Sequence, residues 1–77
     1  MQHQAMQILV TLAKECREEL HTCNILTREW HELIDDNKIL EAEECERCYI
    51  TAQARYVALS NALERCKEAV GRTRKVN

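Results

Sequence analysis

The chain has 77 residues, one glycine, no proline, no phenylalanine and a formal net charge of −2 spread over 31% charged residues of both signs. A chain this short holds one domain at most and buries so small a share of its surface that association is expected. Interspersed charge of both signs is a solubility pattern and offers no basic field for nucleic acid.

Strong helix formers (Ala, Leu, Glu, Lys, Gln and Arg) dominate, and no Asn-Gly or Asp-Gly gives a sheet anything to turn on. The fold class is all-α. The longest apolar run, Tyr56-Val57-Ala58-Leu59, is far short of the roughly 18 residues that a bilayer span needs. No charged-then-apolar leader opens the chain. The expectation is a soluble cytoplasmic protein, with the nucleus as the other compartment, in which the five cysteines stay reduced. Their odd number and their helical positions argue against a disulfide framework.

Met1 to Gln4 carry no periodic signal and are expected to fray. From there Leu9, Leu12, Cys16, Cys23, Leu26, Trp30 and Leu33 follow one another at heptad spacing. They occupy the apolar positions a and d, with only Glu19 interrupting them and Leu20 beside it. Ile8, Ala13 and Ile25 widen this stripe beyond what one partner helix can cover. Continued past Leu33, the same spacing falls on Asn37, Leu40, Glu44 and Arg47, and the seam dies. A second ladder opens in another phase with Ala42, Cys45, Tyr49, Ala52, Tyr56, Leu59, Leu63, Cys66 and Val70. Alanines beside it let neighbouring backbones approach.

The phase jump coincides with the polar run Asp35-Asp36-Asn37-Lys38 between segments of near-equal length. A fold-back follows: a helix over about 5–34, a turn over 35–38 and a helix over about 39–71, all within one module spanning 1–77. Residue i then lies beside roughly residue 73 − i to within a helical turn. That sets Trp30 near Ala42, Cys23 near Ile50 and Cys16 near Val57, and dimerising hairpins would form a four-helix bundle or coiled coil. The alternative is one long helix in a parallel dimeric coiled coil. Asn37 at a position a and the acidic residues Glu29, Glu32, Asp35 and Asp36 near a helix C-terminus speak for it. Gly71 is expected to end the second helix as its C′ residue.

Association would run through Leu9, Leu12, Cys16, Cys23, Leu26, Trp30, Leu33, Tyr49, Tyr56, Leu59, Leu63 and Val70. Cys45-Glu46-Arg47-Cys48 is a C-x-x-C that puts two sulfurs on one side of a helix. With His31, or with a second copy, Cys45 and Cys48 could hold zinc. Set against that, both cysteines read as small hydrophobes in and beside a seam, so no cofactor is the leading expectation. His21 and Cys23 point to different sides of a helix, the Glu41–Glu46 run is a solvated face, and no phosphate-binding glycine loop exists; no enzyme is expected. Arg65, Lys67, Arg72, Arg74 and Lys75 complement a helix C-terminus, with an acidic partner or nucleic acid as the weaker reading. The functional expectation is a homo-oligomerising coiled-coil module, dimer or tetramer, that binds another helical segment within an intracellular scaffold of cytoskeletal, centrosomal or trafficking type.

Overall fold

A computed structural model describes the backbone from Gln2 to Val76 and the side chains from Gln4 to Arg72. Helix α1 spans Gln2–Asp35 and helix α2 spans Ile39–Val76. They lie antiparallel and pack along their length. The greatest extent is 60 Å, which is the length of one helix of this size, whereas a single straight rod of the whole chain would reach about 115 Å. The fold-back is therefore the structure of the chain, and the straight rod is not.

Asn37 supplies the stop that the missing glycine leaves open. Its φ is 63°, the left-handed conformation that Asn tolerates better than other non-glycine residues. The Lys38 N–H donates to the Leu33 carbonyl at 2.8 Å and the Asn37 N–H to the Ile34 carbonyl at 3.0 Å. This pair of bonds is a Schellman motif with Asn37 at C′. Satisfying the last carbonyls in this way ends α1 although its final turn carries acidic residues and no basic one. The role foreseen for Asn37 as a buried polar residue of a parallel seam is thereby replaced, and Asn37 is exposed. Lys38 then opens α2 by accepting the Ala42 N–H at 2.9 Å.

This geometry carries a prediction. Asn37→Gly relieves the left-handed strain and should raise stability by about 0.5–1 kcal/mol, and Asn37→Val should lower it by about 1–2 kcal/mol. Urea midpoints at constant slope read both changes.

Gly71 does not end α2. Its φ is not positive, the helix continues to Val76, and a Cβ placed on it would meet nothing within 4 Å. A glycine inside a helix costs only about 1 kcal/mol relative to alanine, which the flanking helical residues outlast. Likewise α1 already begins at Gln2, ahead of the first seam residue.

The register follows from two contacts. Cys45 Sγ lies 3.3 Å from the Leu26 carbonyl oxygen, and Cys66 Sγ lies 4.0 Å from that of Ala5. In both pairs the residue numbers sum to 71, two short of the sum of 73 expected from the sequence. The pairs are 21 residues apart on each helix. A straight helix drifts about 20° per heptad, so an unchanged register over three heptads requires the helices to supercoil. Transverse extents of 14 and 13 Å agree, because two straight helices side by side would be only about 5 Å thick through their Cα atoms in one direction.

Small residues fill the centre of the pair. Cys16, Cys23, Ala42, Cys45 and Ala52 are buried, and among the described residues no side chain is sealed completely. At the observed register Cys45 stands level with Leu26, and Ala42 stands within one residue of Trp30, Tyr49 of Cys23 and Tyr56 of Cys16. Large faces small in these four layers.

Candidate interaction site

Both ladders face inward as the spacing dictates. Leu9, Leu12, Leu26, Trp30 and Leu33 on α1, with Tyr49, Tyr56, Leu59, Leu63 and Val70 on α2, are half-buried, and Cys16 and Cys23 are buried among them. Half-burial is all that one neighbouring helix can provide for side chains this large. Trp30 also meets the His31 ring edge-on at 5.2 Å between centroids. Glu19, at a d position, is half-buried between Cys16 and Cys23.

Most of the exposed hydrophobes fall to one side. Antiparallel pairing sets positions e against e and g against g, so the hairpin has two unlike flanks. A shallow groove lined by Leu26, Thr27, Trp30, Glu46 and Tyr49 marks the e flank. Glu19, Thr22, Arg47, Cys48 and Arg55 line the g flank. Among the described residues ten large hydrophobes are exposed, and Met6, Val10, Leu20, Ile34, Ile39, Ile50 and Val57 of these occupy positions e or b. Those two positions are neighbours on a helical wheel, so seven of the ten share one flank. On α1 the e positions recur as Met6, Ala13, Leu20, Thr27 and Ile34. Even Thr27 fits this stripe, since its hydroxyl is tied back to the Cys23 carbonyl at 2.9 Å. The opposite flank is charged: Glu15, Glu18, Glu29, Glu32, Glu41 and Glu44 are exposed there together with Arg55 and Arg65.

Cys45 and Cys48 part company. Cys45 is buried at a d position and Cys48 is exposed at a g position. Burial first, then the negative charges at Glu29 and Cys48, push the Cys45 thiol above its ordinary pKa of 9.0. A group whose folded-state pKa is raised keeps its full contribution to stability below the unfolded value and loses it as pH rises through the folded one. Thermal unfolding should therefore be insensitive to Cys45 between about pH 7 and 8.5 and weaken above about pH 9. Cys45→Ala should flatten that alkaline decline. Iodoacetamide at about pH 8 should modify Cys48 well before Cys45, because the thiolate is the nucleophile. Equal rates would contradict the burial of Cys45.

His31 is exposed, and among the described residues no group of three or more His, Cys, Asp or Glu side chains is placed to hold a metal ion. The five cysteines are unpaired. Arg65, Lys67 and Arg72 are exposed near the end of α2, and the side chains of Arg74 and Lys75 lie outside the described residues. Among the described residues no helix is long and apolar enough to cross a membrane.

Comparison of the chain with protein-family models, with curated proteins and with solved structures finds no match.

Proposed function

We propose that this chain is a self-associating helical module. Its hairpin joins a second copy in a four-helix bundle, and the bundle presents helical surface to another coiled-coil segment, as scaffold, cytoskeletal or trafficking proteins require. The observation that carries this reading is the surface left uncovered. The chain exposes 6237 Å² at 9.0 kDa, roughly 1,400 Å² more than the ~4,850 Å² of a compact monomer of that mass. Hiding that excess on two copies would bury about 2,800 Å² in total, within the range of obligate dimers. A radius of gyration of 17.4 Å against about 11.5 Å for a compact domain of this length makes the same point.

Sedimentation equilibrium over a wide range of concentration tests the reading. A mass of twice 9.0 kDa or a higher multiple is expected, with helicity and association lost together on dilution. A well-folded monomer at every concentration would refute it.

A further inference from the structure

The flank at positions e and b suits one occupant and one orientation. We propose that a second copy covers it with the two-fold axis running along the hairpin, so that both turns lie at the same end and α1 of each copy lies over α2 of the other. This rests on the self-association proposed above and specifies its surface.

Residues whose numbers sum to 71 stand level within one hairpin. A two-fold axis along the hairpin preserves level, so an α1 residue i meets the partner's α2 near 71 − i. On the exposed flank this sets Leu20 against the partner's Ile50, Ala13 against the partner's Val57 and Ile34 against the partner's Ile39. These three contacts are apolar on both sides, and the same step sets Met6 against the partner's Glu64 and Thr27 against the partner's Glu43. The same operation brings Asn24 beside the partner's Glu46, which gives that carboxylate a donor.

Turning the second copy end over end, in full overlap, sets Leu20 against the partner's Arg17. It also brings Glu43 within about half a helical turn of the partner's Glu64. Apolar surface then meets a cation and acid meets acid, so the arrangement with the turns together is the complementary one. The e and b flank is preferred to the charged flank because on the charged flank the same operation would set Glu29 near the partner's Glu41 and the partner's Glu44, acid against acid.

Complementary variants test the proposal. Leu20→Glu and Ile50→Lys are made in separate full-length chains and followed by sedimentation velocity. Both positions are part-exposed in the single hairpin, at 43% and 57%, so each chain alone should stay capable of folding but dimerise about 100-fold more weakly, a buried charge having no partner. An equimolar mixture should recover a heterodimer at wild-type concentrations, because one contact gains a Glu–Lys pair and the other is again Leu20 against Ile50. Ile25→Glu on the other flank, 43% exposed, should leave the dimer intact.

Single variants that still dimerise like wild type would overturn the choice of face. Variants that lose the dimer without recovery on mixing would overturn the orientation. Recovery is a gain of association, so loss of folding in one chain cannot imitate it. A wild-type chain that is itself monomeric would instead refute the self-association on which the proposal stands.

Discussion

Leu59→Glu is expected to unfold the hairpin at 25 °C, seen as loss of far-ultraviolet helicity. Leu59 lies on the inward ladder of α2, and the register places it level with Leu12, in a layer with leucine on both helices. Replacing it removes about 1.5–3 kcal/mol of apolar burial. A carboxylate set there with no basic partner adds a further penalty, for a total of about 3–5 kcal/mol. A chain of this size has about 4–12 kcal/mol to lose. None of its described side chains is fully buried, which argues for the lower end. Asn61→Glu on the exposed outer side of the same turn should change stability by less than about 0.5 kcal/mol. Comparable losses at both positions would mean that the α2 ladder does not face α1.

Both helices and their inward faces were legible because heptad spacing is a direct record of which side of a helix is covered. Ala42, Cys45, Ala52 and Cys16 could be placed in the interior from spacing alone. The fold-back was legible in the step from rung Asn37 to rung Ala42, which no straight helix absorbs. What stops α1 was not. Asn37 stands on the heptad as well as at the turn, and periodicity cannot distinguish a buried asparagine from a left-handed C′ residue. Only the two backbone bonds at Lys38 and Asn37 decide it.

Gly71 misled in the opposite sense, since a glycine followed by basic residues satisfies the pattern of a stop without compelling one. The register fell two residues from the expected sum and inside the one-turn tolerance, because polarity locates a turn only to within its own length. The lateral stripe was recoverable in part: Met6, Ala13, Leu20 and Ile34 recur every seventh residue or its multiple. Assigning Ile50 and Val57 to the same flank, however, needed the antiparallel pairing of e with e. Cys45 and Cys48 illustrate the remaining limit. Spacing of three puts both sulfurs on one side of α2, yet the position of α1 decides that one is buried and the other exposed.

Exchanging the side chains of one core layer should expose how tightly this small interior is specified. Trp30→Ala is expected to cost about 3 kcal/mol, less than a fully buried tryptophan because Trp30 is only half-covered in a single hairpin. Ala42→Trp should cost at least about 1–3 kcal/mol. Ala42 is 2% exposed, the most enclosed residue of the core, and an indole there must displace its neighbours. If Trp30 and Ala42 share a layer, the double exchange Trp30→Ala with Ala42→Trp restores the volume of that layer. Its loss should then fall short of the sum of the single losses by about 1–3 kcal/mol. Circular dichroism in urea at fixed protein concentration reads all three variants without relying on the tryptophan signal. Additive losses would mean that the two residues do not meet, and the large-against-small layering of this hairpin would have to be redrawn around another register.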